Sequence, residues 1–327
     1  MARVTYDAAA AAVRDARTIT ITTHINPDGD GIGAGLALMH ALERLGKTVR
    51  FVCPSKVASL YAFLPGFERI EPVVDDAQAK ALAACDLLIS CDCGDRKRLG
   101  AAIHAPRTAL LNLDHHATND RFGDLNLVDV DAESSGVVAQ RLLERLGVAL
   151  DRELAICLYT TIVFDTGRFM HSNTTAHTFR WTARLLDVGI DAAEINRRLT
   201  YTKTPLDLAV MRLGLEHLRV DADEATLAGI AIPAEAIKRV GEPEDWGDLV
   251  DLPRSLLGNR VAYLARERDD RKSVRVSLRS SPPWQVGPVA QAFGGGGHLL
   301  AAGCTVMGTL DQALGELLPR LRAAARG

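Results

Sequence analysis

Over its first half the chain alternates short, largely apolar runs with helical repeats. TITITTH (18–24), TVRFVC (48–53), DLLISCD (86–92) and TALLNLD (108–114) are rich in Ile, Val, Thr and Leu, which favours strands. Between the first two lies GAGLALMHALERLG, with Leu36, Met39 and Leu42 on one helical face and Gly46 as a natural stop. Strands that are apolar throughout and separated by helices predict a parallel sheet covered on both faces. His24, Asp92 and Asp114 then fall at the carboxyl ends of predicted strands, the edge where open α/β sheets bind ligands.

FGDLNLVDVDAESSG (122–136) reads as a loop leading into the helix SGVVAQRLLERLG (135–147). A second helix, RELAICLYTTIVFD (152–165), is capped by Asp151, and helical patterns continue over about 176–218. From about 219 the pattern changes. ATLAGIAIP, RVAYLARERD, SVRVSLRS and AAGCTVMG read as strands of a smaller mixed sheet, with helices near 233–240, 285–293 and 311–325. The predicted fold class is α/β: an N-terminal parallel-sheet domain plus a smaller C-terminal mixed-sheet α/β domain. The first domain is expected over 1–190, a helical connector over 191–214 and the second domain over 215–327.

At 327 residues, 47% of them hydrophobic, the chain is long enough for a large core and for two domains. Thirty-eight Lys and Arg against 41 Asp and Glu leave a net charge of −3, which offers no general attraction to a nucleic-acid backbone. A phosphorylated substrate must be attracted locally, by metals or by a few placed cations. No apolar stretch approaches the roughly 20 residues that span a bilayer, and MARVTYDAAAAAVRDAR has no signal-peptide core. A soluble, cytoplasmic protein without membrane association is expected. The six cysteines (Cys53, Cys85, Cys91, Cys93, Cys157 and Cys304) include no Cys-x-x-Cys pair and read as reduced packing residues.

The chemistry concentrates in two runs. THINPDGDGIG carries His24, Asp28 and Asp30 on what reads as one short loop, and NLDHH carries Asp114, His115 and His116. With Asp92 and Asp165, a set of His24, Asp28, Asp30, Asp92, His115 and Asp165 can converge at one sheet edge. Four carboxylates crowded in one cleft repel and protonate unless cations neutralise them; two divalent ions would do so. Hard oxygens with two imidazoles suit Mn²⁺ or Mg²⁺, and less selectively Zn²⁺ or Co²⁺, while no thiolate is placed for a structural zinc. Each piece alone has an ordinary reading, since Asp-Gly-Asp-Gly makes a good turn and Asp165 ends a predicted helix. Their coincidence at one edge of one sheet points to a two-metal site.

THINPDGDGIGA, CDCGD, NLDHHATN and VFDTG, in this order and spacing, resemble the four motifs of the DHH phosphoesterase superfamily. FGGGGHLLAAG resembles the glycine-rich signature of the DHH-associated domain found in its RecJ-like and nano-RNase branches, and the likeness runs from about residue 17 to 306. It implies a catalytic first domain in which His24 and Asp28 hold one metal, Asp30, His115 and Asp165 hold the other, and Asp92 bridges both. It makes Asp114 the partner that orients a neighbouring histidine, and His116 the group that faces the substrate phosphate as a charge or proton donor. His116, Asp92 and Asp114 are thus the implied catalytic residues, and the metals, Mn²⁺ first with Mg²⁺ or Co²⁺ as alternatives, would activate the attacking water. One departure is Ala34, where the family's first motif usually has serine; the position is not a ligand.

In the second domain, Gly294 to Gly297 followed by His298 is either a hinge or a backbone cradle. In the latter, Gly295, Gly296 and Gly297 let N–H groups approach a phosphate, and a following helix start would favour the anion. The resemblance assigns this segment to substrate binding, with His298 as a phosphate or base contact. It likens Arg279 and Ser280, ending SVRVSLRS, to an Arg-Ser pair that holds the far phosphate of a short nucleotide. Phe169, His171 and Tyr201 are candidates for stacking on a base, with Arg168 as a further phosphate contact. The implied partners are short RNA oligonucleotides such as pApA and small phosphorylated nucleotides such as pAp. Long nucleic acid is not expected, because 327 residues leave out the additional domain of longer RecJ-type exonucleases. This matches the nano-RNase/pAp phosphatase branch, within which cyclic dinucleotides such as c-di-AMP are an alternative substrate. A manganese pyrophosphatase is expected to carry Thr where this chain has Gly29 and to lack the GGGGH run, and a catalytically silent nucleotide sensor is expected to have lost a ligand, yet all six are present. The family and the apolar helices near 135–165 are compatible with a homodimer.

Overall fold

In a computed structural model of the chain, residues 2–72, 85–104, 108–201, 203–221, 226–243 and 246–327 are described. The chain divides into two compact units, Met1–Thr202 and Lys203–Gly327.

The first unit is built on a sheet of seven strands: β1 (Ala2–Arg3), β2 (Thr18–Thr22), β3 (Thr48–Cys53), β4 (Ile70–Pro72), β5 (Leu87–Cys91), β6 (Ala109–Asp114) and β7 (Leu125–Val128). Their order is β1-β7-β6-β5-β2-β3-β4, and every neighbouring pair is parallel. Side chains alternate between the faces: Leu87, Ile89, Leu111 and Leu113 enter the main core, while Leu88 and Leu110 join Cys93, Leu99 and Phe122 in a smaller one. Both faces are buried, as continuous apolar strands require. The main core is completed by helices α1 (Tyr6–Asp15), α2 (Gly29–Arg44), α3 (Ser135–Arg145), α4 (Arg152–Asp165), α5 (Ala176–Asp187) and α6 (Ala192–Thr200).

Two expectations change here. The segment after His116 is not only a loop, because its residues 125–128 form β7 and pair with β6 and β1. Asp30 does not lie on a loop either. Asp28 is the N-cap of α2, its side chain accepting from the Asp30 and Gly31 amides, and Asp30 stands in the first helical turn. As expected, Leu36, Met39 and Leu42 are buried, and Gly46 is left-handed just past the helix. From β2 the chain moves outward through β3 and β4, then returns to β5 on the other side of β2. The switch point therefore lies between β2 and β5, and a crevice outside their carboxyl ends is the natural place for a ligand.

The second unit contains α7 (Pro205–Glu216), β8 (Leu218–Val220), β9 (Leu227–Ile232), α8 (Ala234–Val240), α9 (Asp251–Arg254), β10 (Val261–Glu267), β11 (Ser273–Ser280), α10 (Gly287–Ala292), β12 (Gly296–Gly297), β13 (Ala301–Met307) and α11 (Leu310–Arg326). The sheet order is β12-β13-β11-β10-β9-β8, with β9 and β10 parallel and the other pairs antiparallel. One face packs Val274, Val276 and Leu278 with Leu314, Leu317 and Leu321 of α11; the other packs Ile230, Ile232 and Leu264 with Val210, Leu213 and Ile237. The helical stretch expected as a connector contributes α6 to the first unit and α7 to the second. No helix follows the glycine run: Gly296 and Gly297 pair with β13, and the His298 amide donates to Ala301 O at 2.7 Å in a tight turn. The helix next to the run is α10, which ends before it, so no helix N-terminus is offered there. Among the described residues, no helix is long and apolar enough to cross a membrane.

Candidate metal centre

Three parallel strands deliver the first ligands. His24 stands two residues past β2, Asp92 follows β5, and His115 follows Asp114 at the end of β6. His24 Nε2 lies 3.6 Å from Asp28 Oδ2 and 3.4 Å from Asp92 Oδ2. On the opposite side, His115 Nε2 lies 2.9 Å from Asp165 Oδ2, 3.8 Å from Asp30 Oδ2 and 3.9 Å from Asp92 Oδ1. The two oxygens of Asp92 thus face different groups, His24 with Asp28 and His115 with Asp30 and Asp165. All six expected ligands are brought together.

A layer of hydrogen bonds orients them. The carboxylate of Asp30 accepts from the Ser135 amide at 2.6 Å and the Gly136 amide at 3.0 Å, donors at the N-terminus of α3 where an anion is favoured. Ser135 Oγ donates to Asp92 Oδ1 at 3.1 Å. His115 Nδ1 is 3.3 Å from Ala132 O, and His24 Nδ1 is 2.8 Å from Ile25 O. At His115 the carbonyl partner holds Nδ1 as the donor and turns Nε2 toward the carboxylates, the ring orientation of a metal-binding histidine once Nε2 gives up its proton. Arg98 Nη2 also approaches His24 Nδ1, at 2.8 Å. Asp114 serves differently: its Oδ1 is 2.7 Å from His116 Nδ1, and Asn119 Nδ2 donates to its Oδ2. The His116 ring meets the His115 ring edge-on.

Burial, then the charges of Asp92 and Asp165, push the Asp30 carboxyl well above its ordinary range, and burial with Asp28 raises Asp92. Burial disfavours the His24 imidazolium, but hydrogen bonds to Asp28 and Asp92 outweigh it and hold the group up at about 10. His115 is raised in the same way, Asp165 overcoming burial, while His24 draws Asp28 down against its own burial. At Asp114 burial opposes ionisation, yet His116 brings it down to about 2, and Asp114 in turn raises His116. Protonated imidazoles therefore supply the positive charge that the crowded carboxylates demand. Divalent cations are the alternative supply. The donors fall into two sets, His24 with Asp28 and Asp92, and Asp30 with His115 and Asp165, each within 4.8 Å of one another. Oxygen-rich sets with one imidazole each fit Mn²⁺ or Mg²⁺.

In the second unit, Arg279 pairs with Ala301 and the Ser280 amide donates to Leu300 O at 2.9 Å, so the end of β11 lies beside the glycine hairpin. Ser280 Oγ is buried and has no hydrogen-bond partner among the described residues, whereas Gly296, Gly297 and His298 are exposed. Of the stacking candidates, Phe169 is engaged: it stacks on Phe179 at 5.4 Å and packs against the core, which removes it as an open platform for a base. His171 Nδ1 lies 3.3 Å from Asp165 O, and Tyr201 and Arg168 are exposed. Ser135, Gly136, Asn119 and Arg98 were not foreseen as site residues. The run AESSG announces a helix start, but nothing in it announces what the amides of that helix will hold.

Residues 18–162 match the DHH family, N-terminal domain, and residues 230–327 match the DHHA1 domain. The chain is 33% identical over 306 residues to a bifunctional oligoribonuclease and PAP phosphatase NrnA of Thermus thermophilus, covering 93% of this chain and 89% of that protein. Among solved structures, an exopolyphosphatase-related protein of Bacteroides fragilis superimposes with a TM-score of 0.88 at 26% identity, covering 98% of this chain and 96% of the other. Thermus thermophilus RecJ, solved in complex with Mn²⁺, shares the fold with a TM-score of 0.58 at 19% identity, covering 98% of this chain and 55% of RecJ.

Proposed function

Because the chain belongs to the DHH family, we propose that it is a phosphoesterase using two divalent metal ions, Mn²⁺ first among them. Its reactions would be the hydrolysis of very short oligoribonucleotides such as pApA to mononucleotides and the removal of a phosphate from pAp. The observation that carries this reading is the carboxylate of Asp92, with one oxygen 3.4 Å from His24 and the other 3.9 Å from His115. A carboxylate facing two ligand sets is what adjacent cations need between them. His24 and Asp28 would hold one ion and Asp30, His115 and Asp165 the other. Bound there, divalent cations supply the positive charge that makes phosphorus electrophilic and a water nucleophilic at neutral pH.

The protein groups have their own tasks. The Ser135 and Gly136 amides keep Asp30 aimed, and Ser135 Oγ steadies Asp92. Asp114 fixes His116 through Nδ1 and favours its charged form, so His116 presents a proton to the departing oxygen. Arg279, Ser280 and Gly295 to His298 take the non-reacting phosphate or base, with a guanidinium suited to phosphate and the buried Ser280 hydroxyl in need of a partner. A pyrophosphatase is a poorer fit, because a Cβ on Gly29 would lie 2.9 Å from the Phe164 ring, so a threonine there has to displace Phe164.

The test is turnover by the Mn²⁺-loaded protein of pApA, a long single-stranded RNA, pAp, cyclic di-AMP and pyrophosphate, with Asp92→Asn alongside. Turnover of pApA and pAp that falls by at least about 10²-fold in the variant, the scale of losing a group aimed at the reacting centre, is expected. Preference for cyclic di-AMP moves the substrate within the same chemistry. Preference for pyrophosphate, or no turnover at all, overturns the reading.

A further inference from the structure

We infer that Asn173 is a positioning residue that holds Asp165 in place for the Asp30, His115 and Asp165 half of the centre; the inference rests on the metal reading of that centre. This half is assembled from separate segments: the end of α4, the start of α3 through its grip on Asp30, and the residue after β6. One of its ligands, Asp165, stands at the very end of a helix. As the last residue of α4 it has a carbonyl without a donor from its own helix. The chain beyond it then runs through Gly167, Arg168 and Phe169 at φ of 54°, 59° and 66°. Three successive left-handed residues, two of them not glycine, persist only where surrounding contacts impose them.

Asn173 supplies such a contact. Its Nδ2 donates to Asp165 O at 3.1 Å and to Glu133 O at 3.2 Å. Both partners are carbonyl oxygens, so the nitrogen of the amide must be the end that faces them. Glu133 immediately precedes Ser134, the N-cap of α3, and the next two amides are those that grip Asp30. One side-chain amide therefore ties the peptide behind Asp165 to the peptide ahead of the Asp30 grip. The far end of the loop is anchored to the same residue. The buried carboxylate of Glu133 accepts from Thr178 Oγ at 3.0 Å and lies 2.8 Å from His177 Nδ1, both in the first turn of α5, where a negative charge is favoured. The hydrogen bonds of Asn173 reach neither His24 nor Asp28, so its loss is selective for one half of the centre.

Mn²⁺ titration of the metal-free full chain, read by the electron paramagnetic resonance of free Mn²⁺, tests this. The wild type is expected to show two sites. In Asn173→Ala one site weakens by about 10 to 100-fold, the scale for removing the outer partner of a metal ligand, while the other keeps its affinity and the metal-free melting temperature stays near that of the wild type. Asn173→Asp preserves the volume but turns a carboxylate oxygen toward two carbonyls, and should weaken the same site at least as much. Repeating Asn173→Ala on an Asp28→Asn background identifies the half affected: the remaining site is the weakened one. Unchanged affinities, equal weakening of both sites, or failure of both Asn173 variants to fold would overturn the positioning role. A wild type that binds no Mn²⁺ would instead remove the metal reading and this inference with it.

Discussion

At Asp92 the backbone turns left-handed directly after β5, with φ +54°, at a cost of order 1 kcal/mol or more for a residue with a side chain. The same residue is buried, and its charge is opposed by Asp28. A backbone outlier that also carries an opposed buried charge marks a candidate functional position, here between the two sets of candidate ligands. Its neighbourhood also explains the glycines of the first motif. A Cβ on Gly31 would lie 2.3 Å from Thr23 Oγ and 3.5 Å from Asp92 Oδ2, so Asp-Gly-Asp-Gly is spaced for close approach at the centre as well as for a helix start. The candidate ligands stood out in the sequence because carboxylates and imidazoles declare their chemistry. The groups that aim them did not, because the amides of Ser135 and Gly136 are common to every residue. A consequence for pH follows from the raised imidazoles. His24, held up at about 10, and His115, also raised, carry protons at neutral pH when no cation is bound, and ligation must remove them. Mn²⁺ affinity should therefore rise with pH across the neutral range, and calorimetric titrations near pH 7 in buffers of different ionisation enthalpy should show net proton release. An apparent affinity independent of pH would contradict these protonation states.

At the scale of elements, the four strands read from the sequence are all present in the first sheet, since short runs rich in Ile, Val, Leu and Thr between helices have few other fates. Those missed were β1, β4, β7, β8 and β12, of two to four residues each, too short to show a period. β7 was hidden besides by the acidic segment around it. One of those acids has an element-level role. Asp129, just after β7, accepts from Tyr6 of α1 and from Arg141 of α3, both at 2.6 Å on the same oxygen. It thereby clamps two helices against the edge of the sheet. Burial opposes ionisation of Asp129, but these two partners outweigh it and lower its pKa. A carboxyl depressed in the folded state contributes stability that is fully present above the unfolded value, near 3.9, and is lost as the pH falls through the folded value. Asp129→Asn should cost roughly 1 to 2 kcal/mol at pH 7, allowing for solvent screening of a partly exposed cluster. The gap between variant and wild type in denaturant unfolding should narrow as the pH falls below about 4. A gap that stays constant with pH would mean that shape rather than charge supplies the clamp.

Across the whole molecule, the two units differ in the candidate residues they carry. The first unit carries all six metal-ligand candidates, and the second carries the Arg279, Ser280 and glycine-hairpin corner, with none of the six. The alternation of the first half and the change of pattern near 219 made this two-part architecture legible. The glycine run left a hinge and a backbone cradle both open in the sequence, and its local form, with Gly297 at positive φ and paired with β13, is a use of glycine that only the partner strand reveals. If the second unit acts in capture and the first in chemistry, their variants should separate kinetically. Arg279→Met keeps the length and packing of the side chain but removes the guanidinium. Losing a charged hydrogen bond to phosphate costs about 1.5 to 3 kcal/mol, or roughly 10 to 150-fold in affinity. KM for pApA should rise by that factor with kcat little changed, the signature of an interaction made equally in ground and transition states, and both Mn²⁺ affinities should match the wild type. Asp92→Asn should do the reverse, losing kcat and metal binding together. A fall in kcat or in Mn²⁺ affinity on changing Arg279 would place that residue in the chemistry and dissolve the division.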